Sequence, residues 1–215
     1  MSGPTRRAFL TSAALSSAAL AVSRGGVAHA ASDDSALDKP LLALYTGLEA
    51  AMRAGKATPF AQRFDALAPS VDGAFDLMTI LKVSVGLRWD SMDQATRDRL
   101  LQTFRRFTIA TYVANFDKFD GERFKIVPGT RDSGSDKIVR TEIVPQTGDP
   151  IRLDYVMRQE QGQWRAVDVL LDGSISRVAV QRSDFRKILG GGDAEALITS
   201  LRRKISDLSE GALNS

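Results

Sequence analysis

The sequence predicts an α+β fold, with amphipathic helices packed on a twisted antiparallel sheet of about four to five strands. Three observations carry that prediction. Apolar residues follow the helical period up to Phe119 and alternate strictly after it. The alternating segments are short and parted by Pro128-Gly129, Gly134, Gly148-Asp149-Pro150 and Gln161-Gly162, the turns of an antiparallel meander. Helical spacing then returns, so helices and strands are segregated along the chain rather than interleaved.

The N-terminus reads as an address. "MSGPTRRAFLTSAALSSAALAV" sets Arg6 and Arg7 before an uncharged run from Ala8 to Val22, and Ala28-His29-Ala30 follows. A basic start, a short apolar middle and an A-x-A end predict a signal peptide over residues 1–30, cleaved near Ala30. The apolar run is shorter than the ~20 residues of a membrane span. "TRRAFL" resembles the twin-arginine export signal, with the general secretory route as the alternative.

That cut settles the composition of the mature chain. The only histidine, His29, leaves with the leader, and the chain has no cysteine. Arg6, Arg7 and Arg24 leave too, three of the 29 basic residues, so basic and acidic side chains balance at 26 each. The isoelectric point of about 9.3 therefore belongs to the leader, and the charge argument for a nucleic-acid partner lapses. Without His or Cys the mature protein has no thiol redox chemistry, no Cys/His zinc site and no His-activated nucleophile. No metal and no cofactor are expected. Carboxylate and tyrosine chemistry, or none, is what remains.

Residues 31–40, "ASDDSALDKP", read as a flexible tether, and 41–210 as a single domain. Leu41, Leu44, Tyr45, Leu48 and Met52 form a helical stripe that Gly55 stops. Thr58-Pro59 opens a short helix through Leu67, ending before Pro69. Asp72 to Val83 carries Phe75, Met78, Thr79 and Lys82 at helical spacing. Ser91 with Gln94 forms a capping box that starts the longest helix, ending near Asn115. Its predicted inner face is Leu100, Leu101, Phe104, Phe107, Thr108, Thr111 and Tyr112.

Four strands follow, "ERFKIV", "DKIVRTEIV", "IRLDYVMRQ" and "WRAVDVLL". In the third, Leu153, Tyr155 and Met157 share a face opposite Arg152, Asp154 and Arg158. The fourth is apolar on both sides, Val167 and Val169 on one and Trp164, Ala166 and Leu170 on the other, so both faces are expected to be covered. Two helices close the chain, one through Phe185 and Leu189, the other through Leu197, Leu201 and Ile205. Asp168 stands out as an ionisable group in an apolar strand. It reads as a structural carboxylate answering Arg152, Arg165 or Arg182, with a general base as the alternative. Arg105-Arg106 and Arg202-Arg203-Lys204 read as solvated faces.

The stretch "GQWRAVDVLLDGSISRVAVQRSDFRKIL" places Gly162, Trp164, Asp168, Val169, Gly173, Ile175, Ser176, Arg182 and Phe185 in a pattern. It resembles the closing hairpin of the MlaC-type, or toluene-tolerance, family of periplasmic lipid-binding proteins. Ala166 and Val180-Gln181 depart from the family's residues there, and "SISRVAVQRSDF" is similar to members associated with hopanoid biosynthesis. The resemblance implies an apolar cavity between sheet and helices and a phospholipid or hopanoid held by its apolar part. It also implies a periplasmic shuttle between membrane-bound transport complexes of the inner and outer membranes. The family has no catalytic motif to carry over. The residues that could line such a cavity are Phe104, Phe107 and Tyr112 on the long helix, facing Leu153, Tyr155, Met157, Val167 and Val169 on the sheet, with Ile175. Each is also a plausible core residue. An alternative is a cavity enzyme using Asp168 with Tyr112 or Tyr155 as an acid–base pair.

Overall fold

A computed structural model gives the fold over residues 25–213, with side chains described from Ser35 onward. Most of the expected signal peptide, residues 1–24, lies outside the described residues. Among the described residues, six α-helices pack with one six-stranded antiparallel sheet, the α+β arrangement that the change of period predicts. The sheet has two more strands than the four read from the sequence, and both additions are short.

Helix α1 (Gly25–Ala54) buries the predicted stripe, and Leu37, 2% exposed, extends that stripe one turn towards the N-terminus. The tether expected over residues 31–40 lies within this helix. Leu37 anchors it as helix, and Pro40 is accommodated inside that helix. Helix α2 (Phe60–Ala74) runs through Pro69 instead of stopping before it. Pro69 and Asp65, whose carbonyl loses its partner, are both exposed, so water can take that bond, while Val71 and Ala74 gain burial beyond it. Gly47 lets α1 and α2 approach closely, since a Cβ there would lie 2.5 Å from the Ser70 hydroxyl oxygen. A buried Arg63 ties α2 to the next long helix, donating to the carbonyls of Thr58 and Val113, both at 3.2 Å.

The helix predicted over 72–83 is in fact two ends. Phe75 is extended, and helix α3 (Leu77–Val85) starts afresh with the Asp76 carboxylate accepting from the Thr79 amide. A 3-10 turn over Gly86–Trp89 leads to helix α4 (Gln94–Asn115), whose end matches the prediction. Its cap does not. Asp93 caps the Thr96 amide and hydroxyl at 2.8 Å, and Ser91 instead donates to the Arg88 carbonyl.

The sheet comprises β1 (Arg123–Ile126), β2 (Arg131–Ser133), β3 (Asp136–Val144), β4 (Ile151–Glu160), β5 (Gln163–Leu171) and β6 (Ile175–Ser176), in the order β1-β3-β4-β5-β6, with β2 also on β3. A bulge opposite Val156 and Met157 makes Val167 an extra residue in β5. Val156 pairs with Asp168, yet Met157 pairs with Ala166. The bulge revises the doubly apolar reading of this strand. Ala166 and Val169, three apart and so on opposite faces in the predicted alternation, both pair with inner residues, Met157 and Tyr155. Beyond the end of β6, Phe75 pairs with Ala166, and the Asp76 amide donates to the Ala166 carbonyl at 3.0 Å.

Helix α5 (Arg177–Gly191) and helix α6 (Ala194–Leu208) complete the helical layer. One continuous core runs between that layer and the inner face of the sheet, and Phe104 of α4 meets Phe185 of α5 edge-on at 6.2 Å. The opposite face of the sheet is ionic rather than covered by apolar contacts. Arg158 pairs with Asp136, Arg140 with Glu142, and both Arg131 and Arg152 with Asp154. Among the described residues no helix is long and apolar enough to cross a membrane.

Candidate functional site

A hollow of about 350 Å³ lies between α4, α5 and α6. From α4 it takes Phe107, Thr108, Thr111, Tyr112 and Asn115, at the i, i+1, i+4, i+5, i+8 spacing of one helical stripe. This is the C-terminal part of the face predicted to point inwards. The structure leaves it half-buried, while Leu100, Phe104, Ile109 and Val113 take the core. Opposite stand Val180 and Phe185 of α5. The rim is polar: Arg177, Gln181 and Asp184 from α5, and Lys204 from α6, whose ammonium lies 5.8 Å from the Phe107 ring.

The two threonines make this wall less polar than its sequence. Thr108 donates to the Phe104 carbonyl at 3.0 Å and Thr111 to the Phe107 carbonyl at 2.8 Å. Each hydroxyl proton is committed to the helix's own backbone, so neither position offers a free donor to a ligand. That lowers the polarity of the wall beside Phe107 and Tyr112, while Asn115 keeps one end of it polar. A wider depression of about 680 Å³ has only Met52 and Phe119 as large apolar residues among Arg53, Lys56, Asp117 and Lys118. It lacks the lining of an apolar site.

The predicted lining residues divide. Phe107 and Tyr112 border the groove. Phe104, Tyr155 and Met157 are core, 2%, 2% and 0% exposed. Leu153 and Val169 are half-buried and pack on that core, and Val167 is the buried bulge residue. Ile175 is about half exposed and faces none of this. Sheet and helix residues thus close on one another where the sequence suggested open space. The groove's volume falls at the lower end of the ~300–1,000 Å³ usual for ligand sites, not the upper end.

Tyr112 links the groove to that closed interior. Its ring lies 5.6 Å from Phe75, which lies 6.2 Å from Tyr155; Tyr155 meets Tyr45 at 6.2 Å, and Tyr45 stacks on Phe124 at 4.8 Å. Phe124 and Tyr112 each lie 6.0 Å from Phe116, which closes a circuit of six aromatic rings between helices and sheet. The Tyr45 hydroxyl donates to Thr141 at 2.6 Å, and Thr141 donates to the Leu153 carbonyl at 2.8 Å. Burial pushes the Tyr45 phenol up to about 12, and it raises the phenols of Tyr112 and Tyr155 further. At neutral pH these hydroxyls are uncharged hydrogen-bonding groups in an apolar setting.

Asp168 is held structurally, though not by an arginine. Its carboxylate accepts from the amides of Val169 (2.7 Å) and Val178 (3.1 Å) and from the Ser176 hydroxyl (2.5 Å). Ser176 in turn caps the Ala179 amide, so Asp168 fastens the N-terminus of α5 to β5. Both oxygens are engaged, which leaves the proposed pairing with Tyr112 or Tyr155 without support from the geometry.

Sequence reasoning placed Asp154 on one face with Arg152 and Arg158 but gave it no role. It is 0% exposed, and accepts from Arg152 at 2.8 and 2.6 Å and from Arg131 at 2.8 Å. Burial alone would raise its carboxyl, but the bonds and charge of Arg152, then of Arg131, outweigh burial and hold it below the ordinary carboxylate range. The signal available was alternation: Arg152 and Asp154 occupy one face of β4.

Comparison with known proteins adds to this geometry. No curated protein matches the chain. A phospholipid-binding protein of Ralstonia solanacearum, solved in complex with a phospholipid, has the same fold: the TM-score is 0.66 at 18% identity, over 83% of this chain and 97% of that one. The family model described as MlaC protein matches residues 44–203, from the buried stripe of α1 to the middle of α6. The match spans well over half of the sequence, and the chain belongs to the MlaC family.

Proposed function

We propose that this protein is a periplasmic lipid carrier that holds the apolar part of a phospholipid and moves it between complexes in the inner and outer membranes. The observation that carries the reading is the family membership, joined to a phospholipid-bound protein of the same fold over 83% of the chain. The export signal read at Arg6 and Arg7 supports the compartment. The "SISRVAVQRSDF" stretch makes a hopanoid the other ligand to look for.

The physical demand on a carrier is large. Each buried CH₂ is worth ~0.8 kcal/mol, so a chain of about sixteen carbons resists leaving its bilayer by roughly 12 kcal/mol. A carrier has to offset most of that with an apolar lining. The α4–α5–α6 groove, with Phe107, Tyr112, Val180 and Phe185, is where such a lining reaches the surface. Tyr112 continues it towards the aromatic circuit under the sheet.

Mass spectrometry of organic extracts tests the reading. The mature protein purified from its native envelope should carry lipid in near-stoichiometric amount. Thr111→Trp, which adds bulk at the groove wall, should exclude that lipid and leave the protein folded, because a groove tolerates volume that a packed core does not. The same enlargement at Val169, which packs on the core, should instead destabilise the fold. Lipid-free extracts from the wild type would refute the proposal. In the same material, replacing Arg6 and Arg7 by lysine should leave precursor in the cytoplasm.

A further inference from the structure

The 3-10 turn between α3 and α4 exposes what soluble proteins usually hide. Leu87 is 93% exposed, the most exposed large apolar side chain among the described residues, and Met78 and Val83 of α3 are 40% and 46% exposed. Gly86, at φ 70°, turns the chain so that Leu87 stands at the tip. Behind it lies a cleft of about 360 Å³ lined by Ser84, Val85, Gly86, Arg88, Arg182, Arg186 and Leu189. It contains three guanidinium groups and no carboxylate.

The three arginines are uncommitted in a telling way. Arg88 reaches only the Gly192 carbonyl, at 3.4 Å, and no ion pair with an acidic side chain is formed by Arg88, Arg182 or Arg186 among the described residues. Arg182 and Arg186 are one turn apart on α5, and Arg182 reaches over to Gly86. Acidic side chains, Asp93, Asp193 and Glu195, line the next cleft, on the far side of Arg88. The cationic area is therefore bounded, and it lies beside the apolar tip.

We infer that this tip is a docking element for an anionic membrane surface, with Leu87 entering the acyl boundary and Arg88, Arg182 and Arg186 binding lipid phosphates. An aliphatic tip flanked by cations matches a bilayer interface, which presents phosphate at the surface and hydrocarbon a few ångströms below. A protein partner would need carboxylates set around a leucine-sized pocket. The bilayer offers its complement without such a fit. Arginine suits the task because its planar fork binds phosphate through two parallel bonds. The inference does not depend on what the α4–α5–α6 groove holds.

Flotation with lipid vesicles tests it. The mature protein should bind vesicles of equal phosphatidylglycerol and phosphatidylcholine, bind phosphatidylcholine vesicles far less, and detach as salt rises. Leu87→Asp, and separately Arg182→Glu with Arg186→Glu, should each reduce binding at least about tenfold. All three side chains are exposed, so thermal unfolding and the lipid content of the purified variants should match the wild type. Equal binding to both vesicle types, or variants that bind as the wild type does, would overturn the inference. So would protein-dependent capture through these residues on membranes, with no binding to pure lipid, which would make the tip a protein-binding element.

Discussion

The buried carboxylate on the ionic face of the sheet makes an asymmetric prediction. Asp154 is 0% exposed, whereas the side chains of its partners Arg131 and Arg152 are 55% and 35% exposed. Removing the carboxylate in Asp154→Ala frees two guanidinium groups that water can already reach. Two half-exposed pairs at ~0.2–1 kcal/mol each put the loss near 1 kcal/mol. Removing both arginines strands a buried charge instead, which costs ~3–5 kcal/mol, with the lower end expected because water enters where the guanidinium groups lay. The double arginine variant should therefore lose about 2 kcal/mol more than Asp154→Ala, by urea unfolding near pH 7. The pH dependence should also reverse. In the wild type the carboxyl lies below its ordinary value of 3.8, so its stabilisation is complete above that value and fades as pH falls through the folded one. Without the arginines only burial acts, the folded value rises, and the deficit should shrink as the pH is lowered towards about 4. A larger loss from Asp154→Ala than from the double variant would refute the argument, as would a deficit that ignores pH.

The other expectations concern packing, tyrosines and the α5 anchor. Gly47→Ala should destabilise by ~1–3 kcal/mol despite the better helix propensity of alanine, and Ser70→Gly should restore part of the loss in a double-mutant cycle. All three tyrosines are raised by burial, so phenolate absorbance should stay flat as pH passes 10.0 and rise only with unfolding. The stabilisation tied to Tyr45 is complete below that value and lost as pH climbs towards about 12. Asp168→Ala should lower stability by ~1–3 kcal/mol, since it leaves the Val178 amide and Ser176 hydroxyl without their acceptor, while the folded fraction keeps its lipid.

Much of the fold was legible because period and length are strong local signals. The α1 stripe, the end of α4 near Asn115 and strands β1, β3, β4 and β5 all follow from them. What failed depended on contacts distant in sequence. Pro69 reads as a stop until the burial of Val71 and Ala74 is known. Ser91 and Asp93 are both competent caps, and only the path of the preceding turn selects Asp93. The β5 bulge cannot be read from alternation, because an extra residue shifts the parity it rests on. Of the candidate lining, Phe107 and Tyr112 reach the groove. Apolar residues that pack a core and those that meet a ligand have the same composition, so Phe104, Tyr155 and Met157 could be told apart only by burial.

Helix α5 joins the body through few side chains. Of its fifteen residues only Val178, Phe185 and Leu189 are buried, and the Asp168–Ser176 anchor holds its first turn. At ~1.5–3 kcal/mol per buried side chain, detaching it forfeits far less than opening the sheet, and the conformational entropy of a freed segment offsets part of that. Local opening of the native state should thus start at α5, with amides there exchanging with solvent before those of α4 or β4. Because α5 forms one wall of the groove and its Asp168 anchor lies at one end, such an opening resembles a door on a hinge. The hollow could then widen from about 350 Å³ while the aromatic circuit and the ionic face of the sheet stay intact.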